Sequence, residues 1–190
     1  MPLTALDPNT ALIVVDLQKG IVSGNFIHPI DEVIDRTRAL INVFRAQSLP
    51  VVLVNVAGRA PGRTEQVPGS NTSLPEGWTD FLPQLNQKPA DLVVTKRSWG
   101  AFATTDIEHQ LKARGVTQVV VTGVVTSTGV EATARQAYEQ GFNVTLAVDA
   151  MTDRQKEAHE YSIRNVFPRL GETGTTQEII SLLEKRSSAL

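Results

Sequence analysis

The sequence contains no cysteine among its 190 residues. This absence excludes disulfide bonds, thiolate metal ligands and a cysteine nucleophile. Aromatic residues are scarce, at 5%, and no run of lysine or arginine occurs. With a formal net charge of -2, the chain is not expected to bind nucleic acid or anionic membranes.

The sequence also lacks a long apolar run. The apolar run at residues 11–15, near the start of the chain, is far too short to cross a bilayer. The first residues do not show the basic start and the long apolar stretch that are typical of a signal peptide. We therefore expect a cytoplasmic protein. The length and the 41% share of hydrophobic residues are typical of one globular domain, which we place at residues 1–190.

Short apolar runs rich in valine and isoleucine alternate with helical stretches. Five runs have the length of buried parallel strands: residues 11–15, 51–56, 92–95, 118–122 and 143–148. Between the first two, six residues fall on one helical face: Val33, Ile34, Thr37, Leu40, Ile41 and Phe44. The alternation predicts an α/β fold with three layers (αβα) and a mainly parallel, Rossmann-like sheet of five to six strands.

One connection, at residues 57–77, is rich in Gly, Pro, Arg, Ser and Thr. It is long for a compact domain, and long connections of this kind are often lids or interface segments. We therefore expect this segment to cover a site or to contact another subunit.

Polar residues follow three of the predicted strands. Asp16 follows "ALIVV", Lys96 follows "LVVT", and a glycine-containing turn at residues 123–129 follows "QVVVT". Ligands of open α/β sheets bind beyond the carboxyl ends of the strands, so these groups are expected to meet in one crevice. The competing interpretation is that each charge marks where the chain reaches solvent, and that the glycines form only a tight turn.

Three stretches resemble the isochorismatase-like hydrolase superfamily, which includes nicotinamidases, N-carbamoyl amide hydrolases and isochorismatases. They are "VVDLQKG" at residues 14–20, "VTKRSWGAF" at 94–102 and "VVVTGVVTSTGVEATARQAYEQGFNVTLAVDAMTD" at 119–153. The third stretch is long and specific, and the resemblance extends over residues 7–180.

The resemblance implies a set of site residues. The amidase branch uses an aspartate, a lysine and a cysteine, and these fall on Asp16, Lys96 and Gly129. The superfamily also places a cis peptide in the turn, here between Val124 and Val125. The backbone N–H groups of Val125 and Gly129 would then form an oxyanion hole.

Gly129 departs from the amidase pattern, because glycine offers no nucleophile. The isochorismatase branch resembles this chain in having glycine at that position, and its hydrolysis of a vinyl ether needs no covalent intermediate. Asp16 would then be the general acid, with a pKa raised toward neutrality by burial, and Lys96 would hold a substrate carboxylate. The sequence "TSTGVEATAR" nevertheless resembles the amidase branch with one residue changed more than it resembles the isochorismatase branch.

Three functions therefore stay open. The first is a vinyl-ether hydrolase of isochorismatase type. The second is an amidase-type enzyme whose cysteine has been replaced, naturally or by engineering. The third is a non-catalytic protein that kept a small-molecule pocket. The oligomeric habit of the superfamily also implies a homo-oligomer, either a dimer or a tetramer.

Further residues are candidates for substrate binding. The pocket-wall candidates are Trp99, Phe102 and Phe26, and the candidates for binding carboxylates are Arg59, Arg63, Gln66 and Arg97. The competing interpretation is that the aromatic residues belong to the core and that the arginines are solvated.

No metal or other cofactor is expected. Nicotinamidases carry an Asp-x-His metal motif after the second strand, and the corresponding residues 54–57 read "VNVA" here. The three histidines show no ligand spacing. His109 and His159 are predicted to be exposed on helices, and His28 is a candidate for the rim of the pocket.

Overall fold

The computed structural model describes residues 3–65 and 73–187. Its centre is a six-stranded parallel sheet in the order β3-β2-β1-β4-β5-β6. The strands are β1 Thr10–Val15, β2 Val51–Val56, β3 Leu92–Lys96, β4 Gln118–Val124, β5 Asn143–Thr152 and β6 Glu172–Gly174. The predicted fold class is confirmed. The short polar strand β6 has no apolar run of its own and was not among the five predicted strands.

Helices cover both faces of the sheet. They are α1 Lys19–Val22, α2 Ile30–Ala46, α3 Ile107–Lys112, α4 Glu131–Glu139, α5 Lys156–Tyr161 and α6 Thr176–Ser187. One apolar cluster packs α3 and α4 against the sheet, and a second packs α2 and α6 against the opposite face. All six residues predicted on one face of α2 are buried.

The strand order places the candidate site. The chain runs from β1 outward to β2 and β3, then returns to the other side of β1 at β4. Such a reversal opens a crevice at the carboxyl ends of the two central strands. Gly123 permits their close approach, since its φ is +113° and a Cβ there would clash with the carbonyl oxygen of Val15.

Two further expectations concern the surface. No helix within the described ranges 3–65 and 73–187 is both long and apolar enough to span a bilayer. Residues 66–72 of the connection at 57–77 lie outside the described residues, and the candidate Gln66 is one of them. The role of this connection as a lid or an interface stays a prediction.

Candidate active site

Asp16 lies directly beyond β1 and is almost fully buried, with 5% of its surface exposed. Its backbone has a φ of 54°, and its N–H donates to the carbonyl oxygen of Val54 at 2.9 Å. Lys96, at the end of β3 and 1% exposed, donates from Nζ to Asp16 Oδ2 at 2.7 Å and to the carbonyl oxygen of Trp99 at 2.8 Å. The two charged groups therefore form a buried ion pair.

The other carboxylate oxygen of Asp16 lacks such a partner. Oδ1 is buried and accepts no hydrogen bond from the residues that the structure describes. Burial raises the pKa of Asp16 to about 6, while the charge and hydrogen bond of Lys96 oppose that rise. Desolvation is the larger effect here, so a protonated carboxyl is accessible near neutral pH.

The turn after β4 brings Gly129 against Asp16. The peptide bond between Val124 and Val125 is cis, and a π-helical segment, Thr126–Val130, leads into α4. A Cβ on Gly129 would lie 3.0 Å from Asp16 Oδ2 and 3.1 Å from the carbonyl oxygen of Val124. A side chain at position 129 would therefore start beside the buried carboxylate.

Residues that follow β5 in the chain also form hydrogen bonds with the turn. The N–H of Ser127 donates to Asp153 Oδ2 at 2.7 Å, and the Thr126 hydroxyl lies 2.9 Å from His159 Nδ1. No sequence pattern indicates that Thr126 and Asp153 hold the turn, although both lie inside the quoted stretch at residues 119–153.

The prediction that His159 is exposed is wrong. It is 7% exposed, because the side of α5 that carries it packs against the turn. His28 is exposed, and its ring lies 4.9 Å from that of His159. His28 Nδ1 lies 3.1 Å from the hydroxyl of Thr152 at the end of β5. Neither contact could be predicted from spacing, since His28 lies 131 positions before His159 and 124 positions before Thr152.

The other candidate residues are spread around the site. Trp99 is 66% exposed and contributes its carbonyl oxygen to Lys96. Phe102 is buried in the core beside Phe142, with ring centres 5.9 Å apart. Phe26 is half-buried, with the guanidinium of Arg154 6.0 Å above its ring.

The three arginine candidates lie on the surface. Arg97 is exposed and donates from Nη1 to the carbonyl oxygen of Ala57 at 3.1 Å, and Arg59 and Arg63 are exposed on the connection at 57–77. Roles for these arginines and for the aromatic residues in ligand binding stay predictions.

The residues at the end of β2 do not fit a metal site of the nicotinamidase kind. Asn55 donates from Nδ2 to the carbonyl oxygen of Thr79 at 2.9 Å, and Ala57 has no ligating side chain. Within residues 3–65 and 73–187, no group of three or more metal-ligating side chains is arranged around a common point.

Comparison with known proteins identifies the family. The isochorismatase domain matches residues 10–178 of the chain. The chain belongs to the isochorismatase family. Members of the family are hydrolases that act on small molecules, and the predicted superfamily is thereby confirmed.

Relatives in the isochorismatase family match along most of their length. The isochorismatase family protein YecD of Escherichia coli O157:H7 is 39% identical over 180 residues, covering 92% of this chain and 96% of the relative. YwoC of Bacillus subtilis is 38% identical over 180 residues, covering 90% and 92%. A solved structure of a family protein from Burkholderia thailandensis superposes with a TM-score of 0.89 at 39% identity, covering 95% and 98%.

Proposed function

We propose that this isochorismatase-family hydrolase cleaves a vinyl ether of the isochorismate type, with Asp16 as the general acid. One observation carries the proposal: a buried carboxyl whose pKa is raised to about 6, with an unpartnered oxygen, beside a position that has no side chain. A group of this kind can hold a proton near neutral pH and deliver it to a substrate.

The reaction needs no covalent intermediate. Asp16 protonates the terminal methylene carbon of the vinyl ether, and the double-bond electrons form the new C–H bond. The resulting oxocarbenium-like centre takes up water, and the Asp16 carboxylate accepts the proton that the water loses. The hemiketal then collapses to pyruvate and an alcohol, so that one water is consumed and the acid is regenerated.

Lys96 and the turn would orient the substrate. The Lys96 ammonium has three N–H donors, of which two are directed to Asp16 and to the carbonyl of Trp99. The third is available for a substrate carboxylate. Arg59 and Arg97 are candidates for binding a second carboxylate, and the N–H groups of Val125 and Gly129 for stabilising negative charge.

An amidase-type ancestry is the second candidate, and one distance favours it. The Cβ direction of Gly129 points at Asp16 Oδ2 from 3.0 Å, as a nucleophile would point at its base. Relatives carry names from both branches: Nicotinamidase 3 of Arabidopsis thaliana is 28% identical over 170 residues, and Probable isochorismatase of Pseudomonas chlororaphis is 25% identical over 186 residues.

The experiment is to measure pyruvate release from isochorismate by the purified chain and by Asp16→Asn. Release by the parent and its loss in the variant would support the vinyl-ether proposal. Amide turnover that appears only in Gly129→Cys would support the amidase reading. Binding of isochorismate or an amide without turnover in either protein would identify a non-catalytic binding protein.

We further propose that residues 1–190 form one domain of a cytoplasmic homo-oligomer, a dimer or tetramer, with the segment 57–77 at an interface or over the site. The support is the length of that segment and the resemblance to an oligomeric superfamily. Light scattering at micromolar concentration should give a multiple of the 20.6 kDa chain mass, and a monomer mass would reject the oligomer.

A further inference from the structure

Polar side chains, all of them buried except the exposed His28, form a chain of contacts from the turn toward β5, which lies on the opposite side of β4 from β1 and Asp16. The Thr126 hydroxyl meets His159 Nδ1 at 2.9 Å, and the ring of His159 meets the ring of His28 edge to face. His28 in turn contacts the hydroxyl of Thr152 through Nδ1 at 3.1 Å and through its backbone N–H at 3.3 Å. This chain connects the turn to the end of β5.

The turn therefore has two sides with different contacts. On one side, Gly129 faces Asp16. On the other side, Thr126 is fully buried and its hydroxyl is directed to His159. Rotation of the turn would break the Thr126–His159 contact and would also change the distance from residue 129 to the carboxylate.

We propose that His159 is a positioning residue of the site, because its Nδ1 binds the Thr126 hydroxyl and so fixes where residues 125–129 lie relative to Asp16. This inference deepens the proposed function, since the N–H groups of Val125 and Gly129 can bind a substrate only if the turn keeps one orientation. His159 does not touch the reacting atoms and is not assigned a proton-transfer step.

The surroundings of His159 favour the neutral ring. Burial and the neighbouring His28 lower the pKa of His159, and they outweigh Asp153 and Glu160, which raise it. A neutral imidazole has one donor and one acceptor nitrogen, so Nδ1 can pair with a hydroxyl in either tautomer. Its contact with Thr126 is thus maintained without burying a charge.

The first test follows the backbone amides of the turn by hydrogen exchange. The N–H groups of Thr128 and Val130 both donate to the carbonyl oxygen of Val125, each at 3.1 Å, and report directly on the turn. We expect Thr126→Val and His159→Phe to speed exchange at these two amides by roughly fivefold or more, the loss associated with one buried hydrogen bond. Amides of β2 should keep their parent rates.

Conservative variants separate positioning from bulk packing. Thr126→Ser keeps the hydroxyl, and His159→Asn keeps a polar atom near the position of Nδ1, so both should exchange close to the parent rate. The double variant Thr126→Val/His159→Phe should exchange no faster than either single variant if the two residues act as one unit. His109→Asn, at an exposed histidine on α3, is the matched control.

Kinetics provide a second readout. If isochorismate is hydrolysed, Thr126→Val should lower kcat for pyruvate release about tenfold with little change in KM, and Thr126→Ser should restore it. If isochorismate is not hydrolysed, the proposed function fails and the exchange experiment still decides the role of His159.

Two results would overturn the inference. One is parent-like exchange at Thr128 and Val130 in folded Thr126→Val. The other is an equal increase at the turn and in β2, which would mean that His159 supports only global stability. Should His159→Phe fail to fold, the comparison of Thr126→Val with Thr126→Ser gives the same decision.

Discussion

Two buried aspartates lie just beyond the carboxyl ends of strands, and their surroundings differ. Asp153, just after β5 and 2% exposed, accepts hydrogen bonds from the backbone N–H groups of Ser127, Arg154 and Gln155. Asp16, just after β1 and 5% exposed, has one cationic partner on Oδ2 and none for Oδ1 among the described residues.

The comparison shows how one residue type acquires two roles. Three fixed N–H donors hold the Asp153 carboxylate in place, and through Ser127 it holds the turn. Asp16 is buried away from water and only part of its hydrogen-bonding capacity is used, which raises the pKa of its carboxyl. The Asp153 carboxylate thus supports the structure of the turn, and the Asp16 carboxyl is the one to which the proposed function assigns the acid chemistry.

The largest expected effect is on Asp16 itself. Asp16→Asn removes the proton donor while keeping the size of the side chain, so pyruvate release from isochorismate should fall by about a thousandfold, within the range for loss of a general acid. Circular dichroism should show an unchanged fold. Full activity in this variant would contradict the assignment of Asp16 as the acid.

A thiol introduced beside Asp16 should be unusually reactive. In Gly129→Cys, the Cβ that carries the thiol would lie 3.0 Å from Asp16 Oδ2. Asp16 can take the proton of the thiol, and Lys96 can stabilise the thiolate. We expect reaction with iodoacetamide at pH 7 at least about tenfold faster than that of free cysteine, together with trace hydrolysis of small amides.

The matched control is the double variant Gly129→Cys/Asp16→Asn, in which the excess reactivity should disappear. An introduced thiol that titrates like free cysteine, near pH 8.5, would show that the pocket is not amidase-like. The vinyl-ether and binding-protein readings would then have to stand without support from the triad geometry.

The pH dependence of kcat/KM should follow the acid form of Asp16. With a pKa of about 6 in the folded chain, the acid is mostly protonated below pH 6 and its protonated fraction falls to about a tenth at pH 7. Activity should therefore decline as the pH rises through about 6. A pH-independent rate between pH 5 and 8 would contradict a role for this proton.

Lys96→Met offers a way to move that decline. The charge and the hydrogen bond of Lys96 both lower the pKa of Asp16, so removing them should shift the decline in kcat/KM to higher pH. KM should rise as well if Lys96 holds a substrate carboxylate. A shift to lower pH would show that the ion pair does not control the proton on Asp16.

Asp153→Asn should affect stability more than chemistry. The amide keeps one oxygen for hydrogen bonds but loses the acceptor that pairs with Ser127 or with the N–H groups of Arg154 and Gln155. Leaving a buried donor unpaired costs about 1–3 kcal/mol, which urea unfolding would detect. Stability equal to that of the parent would mean that these hydrogen bonds are replaced by others.

Much of the fold could be predicted from the sequence because the signal is local. Runs such as "ALIVV" and "VVLVNV" identify central parallel strands, and the apolar face of α2 follows the helical period. Strand β6 escaped prediction because three residues, Glu172–Gly174, are too few to show a pattern, and its pairing with β5 is decided by the tertiary fold.

The candidate site divides in the same way. Asp16 and Lys96 could be identified because each is a charged residue at the end of an apolar run, and the turn could be identified because its motif is specific. The burial of His159 and its contact with Thr126 could not be identified, because they depend on how α5, which follows β5, packs against the turn. The sequence around a histidine on a short helix is the same whether its side chain faces solvent or packs against a turn.

The smallest expected effect concerns Gly129 as a packing residue. Replacing a helical glycine with alanine usually stabilises a protein by up to about 1 kcal/mol, so helix propensity alone predicts a gain here. The added Cβ would contact the carbonyl oxygen of Val124 and Val15 Cγ1, each at 3.1 Å, and neither strand end can easily move. We therefore expect Gly129→Ala to destabilise the chain slightly, by less than about 1 kcal/mol.

Gly141→Ala is the matched control, because its Cβ would meet nothing within 4 Å although its φ is +85°. It should cost about 1 kcal/mol for a backbone reason alone. Urea unfolding of both variants separates crowding from backbone strain. A clear stabilisation by Gly129→Ala would mean that the space beside Asp16 Oδ2 opens readily to a side chain. Packing would then not require a glycine at position 129, and the reason for the glycine would lie in the chemistry of the site.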